Sequence, residues 1–333
     1  MRAIQATWSL ACGLLALLAA PPVTRAQPPS QPQPPSQPQA PRSGGVVERD
    51  VVELAPARGA RIERIDIDNR LGDVKIEGHD REALSIIAVK RAPDQETLER
   101  LKVSLVPDPG GAVMVSTSLL AGLEARPIPA GSVRIDLIVK APRSAQVQAQ
   151  VWKGRIAVSG VENGAELVTD DGDIAVSEVT GAVSTHSGHG RQTFARVFGA
   201  IDARALEGDL DLDVVRGDRV AAVVQEGQVN GRRVAVRELS VLVTRGSISI
   251  EGEAMAGGRY RVASYWGNVQ VKLGGKAPLH VRAHSREGRV SLPRRFRPRT
   301  AHDGVVTATY GAGGTAADID LRTRVGSITL AEF

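Results

Sequence analysis

Four aspartates form the group with the clearest potential for chemistry. Asp209 and Asp211 alternate with leucines, so both side chains project from one face of a strand, and Asp171 and Asp173 have similar spacing earlier in the chain. Two facing carboxylates can act as acid and base in glycoside hydrolysis, and a cluster of carboxylate oxygens can bind calcium. The group therefore predicts a carbohydrate-active site or a calcium- or polysaccharide-binding module. The alternative interpretation is a solvated outer strand face.

A basic loop is the second candidate. Four arginines surround Phe296 in a proline-flanked segment, namely Arg294, Arg295, Arg297 and Arg299. A concentrated positive patch attracts anionic polymers, so this loop could meet lipopolysaccharide, teichoic acid or an acidic polysaccharide. A solvated loop without a partner is the alternative interpretation.

Other catalytic and metal-binding patterns are weak or absent in the sequence. The histidine pairs 186/189 and 280/284 lack a third ligand at a diagnostic spacing, and no GxSxG, HExxH or phosphate-binding glycine loop occurs. Cys12 is the only cysteine, and it lies in the predicted leader described below, which excludes thiol catalysis in the mature chain. We therefore predict no catalytic residue, no metal and no cofactor, and expect that the protein is not an enzyme.

Three aromatic residues precede glycines, namely Trp152, Tyr265 and Trp266. They could form a platform that stacks on sugars if their strands faced the same side. Because Trp152 is distant in sequence from the other two, we expect all three to pack at corners of the fold instead.

The N-terminus predicts export. Residues 1–26 combine Arg2, the apolar stretch ACGLLALLAA and a small-residue cleavage signal before Gln27, which is typical of a signal peptide. The apolar stretch is too short to span a bilayer, which needs about 20 residues, so no transmembrane segment is expected. Residues 27–45 are rich in proline and glutamine and predict a disordered tether. We expect a periplasmic, outer-surface or extracellular protein.

The charge balance argues against nucleic acid as a partner. Loss of Arg2 and Arg25 with the leader lowers the formal net charge from +5 to +3, so the high isoelectric point does not by itself indicate a nucleic-acid-binding protein.

A sequence repeat dominates the chain after residue 150. A glycine, a polar residue and alternating aliphatic residues recur as GRIAV, GDIAV, GDLDL, GQVNG, GSISI, GNVQV, GRVSL and GSITL, starting at Gly154, Gly172, Gly208, Gly227, Gly246, Gly267, Gly288 and Gly326. Two intervals are double, and Gly188 divides the first of them, so the period is about 19 residues. Such a period indicates a solenoid, because a propeller blade needs about 40 residues or more.

Each period contains two short strands with a glycine corner between them. Apolar residues alternate on both sides of the glycine, and one such unit cannot bury its apolar face alone. Stacked in register, the units predict an all-β fold, a single-stranded parallel β-solenoid that we expect to be a right-handed β-helix with rungs of about 19 residues. The pattern breaks at residues 189–198 and 293–304, which predicts insertions or loops that leave the stack.

The region before the repeats is less regular. It shows strand patterns and one helix signal, the sequence QETLER after Asp94, which is a good N-cap residue. We predict four segments: a signal peptide at 1–26, the tether at 27–45, a β-rich N-terminal cap at 46–151, and solenoid repeats at 152–333 with a C-terminal closing rung.

The motifs resemble a known group of families. A leader, strands around the sequence NRLGDV at residues 69–74, and copies such as TDDGDIAV, TRGSISI and YWGNVQV are similar to the bacterial putative-adhesin families of β-strand repeats, which have no assigned biochemical function. The resemblance covers residues 61–330. It implies an exported solenoid near the cell envelope with a suggested role in adhesion, and it supplies no catalytic or binding residues.

Two functional hypotheses follow. The first is an exported, non-catalytic β-solenoid that serves as a cell-envelope scaffold or adhesion surface, with an envelope polysaccharide or protein as partner and many weak contacts along one face. The second is a carbohydrate-active enzyme, or a calcium- or polysaccharide-binding module, that uses the four aspartates. The sequence leaves the oligomeric state open.

Overall fold

The computed structural model describes residues 45–56, 61–119, 132–302 and 305–331. The predicted signal peptide and all but the last residue of the predicted tether lie outside these ranges.

The described chain is almost entirely strand, with one helix. The first elements are β1 Val46–Leu54, β2 Arg64–Leu71, β3 Val74–His79, β4 Leu84–Ala92, α1 Gln95–Arg100, β5 Leu101–Pro107, β6 Ala112–Leu119, β7 Arg134–Pro142, β8 Gln146–Lys153 and β9 Ile156–Ser159. The central elements are β10 Ala165–Asp171, β11 Ile174–Thr180, β12 Val183–His189, β13 Gln192–Phe198, β14 Ile201–Glu207, β15 Leu210–Glu226, β16 Val229–Arg245 and β17 Ile248–Glu253. The last elements are β18 Arg259–Trp266, β19 Val269–Gly274, β20 Leu279–Glu287, β21 Val290–Ser291, β22 Arg297–His302, β23 Val305–Tyr310, β24 Ala317–Val325 and β25 Ile328–Ala331.

The central strands stack as the rungs of a parallel β-solenoid, which confirms the predicted fold class. In β10, Leu167 lies in register with Ala149 of β8 on one side and Thr185 of β12 on the other. In β11, Val176 lies in register with Val158 and Phe194 in the same way. Each rung therefore repeats after 18 residues here, and every central strand has a hydrogen-bonded neighbour on both sides.

The rungs form two faces. Face A contains, in spatial order, β5, β6, β2, β8, β10, β12, β14, the second halves of β15 and β16, β18, β24, β20, β23 and β22. Face B contains β1, β4, β7, β3, β9, β11, β13, the first halves of β15 and β16, β17, β19, β25 and β21. Alternate residues of both faces point between them, so Leu167, Ile174 and Val176 are fully buried and continue the core from rung to rung. Each such side chain contributes about 1.5–3 kcal/mol by leaving water.

Glycine occupies the corner from face A to face B because two constraints act there together. At Gly208 the backbone has φ of 147°. A Cβ at this position would lie 1.9 Å from the carbonyl oxygen of Gly190 on the adjacent rung. Only glycine meets both conditions, which explains the repeat seen in the sequence.

A second corner was not visible in the sequence. It lies within β11, β13, β15 and β16, after the first few residues of each, where four residues other than glycine have φ of 55°, namely Glu178, Arg196, Val214 and Arg233. Beyond it, a short third side continues the pairing, with Val179 in register with Val197.

The predicted break at residues 189–198 is wrong. β12 and β13 continue the stack without interruption, and the corner between them is Gly190, with φ of 131°, rather than Gly188. The pattern was hidden because a buried glutamine, Gln192, takes the place of the first aliphatic residue after the corner. The repeat is therefore more regular than the sequence indicates.

The predicted break at residues 293–304 is wrong in a different way. This segment makes a turn and then β22, which pairs antiparallel with β23, and β23 pairs antiparallel with β20. The segment therefore covers one end of face A instead of leaving the stack.

At both ends of the solenoid, spatial order departs from chain order. The rung β6 and β7 lies outside β2 and β3, and β8 and β9 lie on their other side. The last strands, β24 and β25, lie inside the stack, between β18 and β19 on one side and β20 and β21 on the other. β24 and β25 therefore form an internal rung and not the closing rung that the sequence predicts.

The N-terminal region is part of this arrangement. Parallel rungs begin at β2, so the predicted boundary between cap and solenoid at residues 151 and 152 falls inside β8. The helix signal is confirmed, because α1 begins after Asp94, whose side chain accepts a hydrogen bond of 2.7 Å from the N–H of Thr97. The outer strands β1, β4 and β5 are antiparallel to their neighbours.

Candidate functional site

Two of the predicted aspartates belong to a column of alternating charges at the glycine corner. Asp173, Arg191 and Asp209 each follow a corner glycine on three successive rungs. The backbone N–H of Arg191 donates to Oδ1 of Asp173 at 2.9 Å, and its Nη2 donates to Oδ2 of Asp209 at 3.1 Å. We call this column the corner ladder. It continues at both ends, since Oδ1 of Asp73 accepts from the N–H of Arg155 at 2.8 Å and Oδ1 of Asp209 accepts from the N–H of Gln228 at 2.9 Å.

The other two aspartates also face partners on neighbouring rungs. Oδ1 of Asp211 accepts from Nδ2 of Asn230 at 3.1 Å, and Asp211 lies 3.7 Å from Nε of Arg191. Asp171 lies 3.8 Å from Nζ of Lys153, and both side chains are more than half exposed. The four aspartates thus bind neighbouring strands, and a sugar or water placed between Asp173 and Asp209 would have to displace Arg191. Such exposed ion pairs contribute about 0.2–1 kcal/mol each to stability.

Asp213, which follows Asp209 and Asp211 in the sequence repeat, has a perturbed proton affinity. The guanidinium of Arg233 donates to both oxygens of Asp213, at 2.6 and 2.7 Å, and this hydrogen bonding lowers the pKa of Asp213 below its ordinary value. A lowered pKa suits a structural ion pair and is unlike the raised pKa of a general acid.

Metal ligation finds little support in the part of the chain that is described. No group of three or more histidine, cysteine, aspartate or glutamate side chains is arranged there to hold an ion. Two of the histidines each face one carboxylate, with His189 3.7 Å from Glu207 and His280 3.6 Å from Asp318.

The basic loop contains the turn before β22. Arg294 and Arg295 are exposed, while Phe296 is 5% exposed and its ring packs 5.2 Å from that of Tyr310. Arg297 and Arg299 lie in β22, and their side chains are outside the described set. The turn therefore inserts an aromatic ring into the end of the core and presents two of the predicted arginines to solvent.

The three aromatic residues lie one or two positions before the corner glycines Gly154 and Gly267, where the sequence predicts them. The side chains of Trp152, Tyr265 and Trp266 are 57%, 41% and 44% exposed. Tyr265 and Trp266 contact each other edge to face at 4.4 Å. The guanidinium of Arg324 lies 4.9 Å from the Tyr265 ring centre, and that of Arg245 lies 5.8 Å from the Trp266 ring centre. Cation–π contacts of this kind hold the exposed rings in place.

Beside these rings, face A carries a concentration of arginines. The outward positions of β18, β24 and β20 hold six arginines and two aspartates, and we call this surface the arginine face. Its members are Arg259, Arg261, Arg282, Arg286, Arg322, Arg324, Asp318 and Asp320. Asp320 lies between Arg261 and Arg282 in register but forms its ion pair with Arg322, at 2.6 Å. No described carboxylate comes within ion-pair distance of Arg261, Arg282 or Arg286.

A groove of about 320 Å³ opens on the arginine face. It is lined by Leu242, Ala263 and Tyr265 together with Arg286, Arg322 and Arg324. A second groove of about 470 Å³ lies on β20, β24 and β23, around His280, Arg282, Asp318 and Asp320. The surface thus combines apolar side chains with a concentration of arginines over adjacent strands.

Comparison with protein-family models shows which family this chain belongs to. The model of the Toastrack DUF4097 family matches residues 58–331, which is most of the chain. The chain belongs to this family. The resemblance inferred from the sequence motifs is thereby confirmed.

Solved structures similar to this Toastrack chain are distant in sequence. A putative lipid binding protein from Parabacteroides distasonis ATCC 8503 is 9% identical, with 85% of this chain and 96% of that chain covered and a TM-score of 0.43. A putative adhesin from Parabacteroides merdae ATCC 43184 is 11% identical, with 87% and 98% covered and a TM-score of 0.38. A putative adhesin from Bacteroides fragilis NCTC 9343 is 12% identical, with 85% and 97% covered and a TM-score of 0.35. No curated protein matches the chain.

The arginine face of this Toastrack chain was missed by sequence reasoning. The strands that build it, RYRVASYW, LHVRAHSRE and ADIDLRTRV, each show alternating charged residues. Chain order would place β20 beside β18, whereas β24 lies between them, so the shared surface could not be read from the sequence. Among the described helices, none has the length and apolar character that crossing a membrane requires.

Proposed function

We propose that this protein is an exported, non-catalytic β-solenoid that acts as a cell-envelope scaffold or adhesion surface and binds its partner along the outward side of face A. The observation that carries the proposal is the exposed apolar row on face A. Val223 and Leu242 are 45% and 49% exposed, lie in register on adjacent strands, and are followed by the half-buried Ala263.

The repeat favours binding by many weak contacts. Equivalent outward positions recur at the strand spacing of about 4.8 Å, so an extended partner can contact several rungs at once. Linked weak contacts reach high overall affinity without any single strong site. Large side chains exposed side by side are unusual for a surface without a partner.

The carboxylates support this function better than the carbohydrate-active alternative. Asp173 and Asp209 are separated by Arg191, which donates to both of them. Hydrolysis needs a general acid and a second carboxylate that face a common substrate space at about 5–9.5 Å.

Binding of the full chain to isolated cell-envelope fractions and to a glycan array, with turnover measured on every hit, tests the proposal. The double variant Val223→Ser and Leu242→Ser is expected to bind envelope fractions at least fivefold more weakly, because it removes the apolar row. Val51→Ser changes a residue that is 58% exposed on β1, away from this row, and is expected to bind as the unmodified protein does.

The aspartates provide the discriminating result. Asp209→Asn and Asp211→Asn are expected to leave binding unchanged. If the protein turns over a glycan and these substitutions abolish that turnover, the result would contradict the proposal in favour of an enzyme.

Export is tested separately by N-terminal sequencing of the secreted protein, which is expected to begin at Gln27.

A further inference from the structure

We propose that the arginine face binds an acidic polysaccharide, one that carries carboxylate or sulfate groups, and that the sugar rings pack on the groove-lining side chains of Leu242, Ala263 and Tyr265. The inference rests on the proposed function and names the partner class for that surface.

The charge of the surface calls for an anionic partner. Six arginines and two aspartates share three adjacent strands, and one of the two aspartates is already paired with Arg322. Arg261, Arg282 and Arg286 have no described carboxylate within ion-pair distance. Guanidinium groups bind carboxylate and sulfate oxygens with two parallel hydrogen bonds, so these arginines are matched to such groups in geometry as well as in charge.

The spacing suits a polymer better than a single anion. Arg282 and Arg286 are four residues apart on β20, which is about 13 Å along an extended strand. Arg324 lies one strand away from Arg286, at about 4.8 Å across the sheet. Charges at such intervals can contact successive acidic groups of one chain, and both grooves include residues of β20 and β24.

The apolar residues that line the groove suit sugar rings. Pyranose rings present C–H faces that pack on apolar and aromatic side chains, and Leu242 and Tyr265 supply such surfaces, at 49% and 41% exposure. The Nη1 of Arg324 donates to the Tyr265 hydroxyl, and its guanidinium lies 4.9 Å from the ring centre. The ring is therefore held in one orientation, which reduces the entropy lost when a ligand binds.

The small apolar area of the site favours a polysaccharide over a lipid bilayer. Among the residues that line the groove, Leu242 and Tyr265 are the large exposed hydrophobic ones. Membrane binding through an apolar surface scales with the apolar area that enters the bilayer, so two such side chains suit a sugar chain better than a membrane.

The test is titration of the full chain with defined probes. Polygalacturonate oligomers and dextran sulfate represent the two acidic groups, neutral dextran controls for sugar alone, and vesicles of phosphatidylglycerol and phosphatidylcholine represent an anionic membrane. Isothermal titration calorimetry at two salt concentrations gives the affinity and its salt dependence. We expect binding of at least one acidic polysaccharide, no binding of neutral dextran, and affinity that falls with salt.

The decisive variant is the triple change Arg282→Ser, Arg286→Ser and Arg324→Ser, which is expected to weaken binding of the acidic probe at least tenfold. Its charge-matched control, Arg49→Ser, Arg219→Ser and Arg232→Ser, removes three exposed arginines elsewhere and is expected to change the affinity less than twofold. Tyr265→Ala is expected to weaken binding at least threefold without changing the salt dependence. Circular dichroism verifies that each variant is folded before titration.

Three results would overturn the inference. The first is equal loss in both triple variants, because binding would then follow net charge alone. The second is binding of vesicles but of no polysaccharide. The third is binding of no acidic probe while envelope binding persists unchanged in the arginine variant, in which case the proposed function stands without this partner. If envelope fractions are not bound either, both proposals fail.

Discussion

Gln192 shows how one residue can differ from the repeat and still stabilise it. The residue is fully buried, yet its side chain is completely hydrogen-bonded to its own and adjacent rungs. Its Oε1 accepts from Oγ1 of Thr185, and its Nε2 donates to Oγ of Ser187 and to the carbonyl oxygen of Arg204, all at 2.7 Å. A buried polar group costs little when every partner is present and a great deal when one is missing.

This network yields a prediction about stability. Gln192→Leu leaves the buried hydroxyls of Thr185 and Ser187 without their partner, so we expect the free energy of unfolding to fall by about 2–4 kcal/mol. The triple variant Thr185→Val, Ser187→Ala and Gln192→Leu removes the polar groups together and is expected to recover most of that loss. Urea unfolding followed by circular dichroism measures both. A triple variant no more stable than Gln192→Leu would contradict the explanation.

The corner ladder shows that the role of a carboxylate depends on partners that are distant in sequence. Asp173 and Asp209 were singled out as catalytic or ligand-binding candidates because carboxylates at alternating positions look alike in a sequence whatever they contact. The partner that defines their role, Arg191, lies 18 residues from each. Only the stacking of rungs brings the three together, so the sequence predicted the residues' exposure but not their use.

At the scale of elements, the corner glycines allow the strands to turn from face A to face B. Substitution of Gly208 tests how much this corner contributes to stability. Gly208→Ala would combine a positive φ with a methyl group 1.9 Å from a backbone oxygen. We expect the free energy of unfolding to fall by about 2 kcal/mol or more, since incompatible backbone positions cost about 1–3 kcal/mol before any clash.

Gly313→Ala is a control that separates backbone strain at positive φ from the clash with the neighbouring rung. Gly313 has φ of 81°, and a Cβ there would meet no atom within 4 Å. Gly313→Ala is therefore expected to cost about 1 kcal/mol, from backbone strain alone. Thermal and urea unfolding of both variants measure the difference. Equal costs would show that the close approach of neighbouring rungs contributes nothing.

The elements also show what the sequence could predict. Glycines and alternating aliphatic residues identified the strands, the first corner and the stacked parallel pairing, because each of these follows from local geometry. The second corner was missed because residues such as Glu178 and Arg196 adopt φ of 55° without a glycine to mark it. The break expected at residues 189–198 came from a polar residue in a buried position, which a hydrophobic pattern cannot register.

At the scale of the whole molecule, the ends of the stack could not be predicted. β24 pairs with both β18 and β20, and nothing in its sequence distinguishes an internal rung from a terminal one. The antiparallel strands β1, β4 and β5 at one end, and β22 and β23 at the other, lie next to parallel rungs and limit the exposed parallel edges. An exposed parallel edge would invite pairing with other chains.

Because β24 lies between β18 and β20, we expect loss of the C-terminal strands to destabilise the fold more than a larger deletion that removes two complete internal rungs. Deletion of residues 173–208 removes two complete internal rungs, joins Gly172 to Asp209, and preserves both the strand register and the alternation of charge in the corner ladder. We expect a folded chain with one cooperative unfolding transition and a reduced denaturant m-value. Truncation after Thr315 removes fewer residues but leaves β18 and β20 without the strand between them.

The truncated chain is expected to lose its cooperative transition in the C-terminal rungs and to bind a hydrophobic dye. Urea unfolding, dye fluorescence and hydrogen exchange compare the two deletions. Equal stability of the two deletions would mean that β18 and β20 can pair directly, and that the internal position of β24 is not required.

The internal position of the last strands also constrains when the protein can finish folding. Leu321 pairs with Val262, 59 residues earlier, so a slot stays open beside β18 until residues 317–325 have been synthesised. Contacts so far apart in sequence form slowly because the intervening chain must first be closed into a loop. These rungs are therefore completed only after β24 has emerged, and until then β18 and β20 each have an unfilled edge that a holding chaperone could occupy.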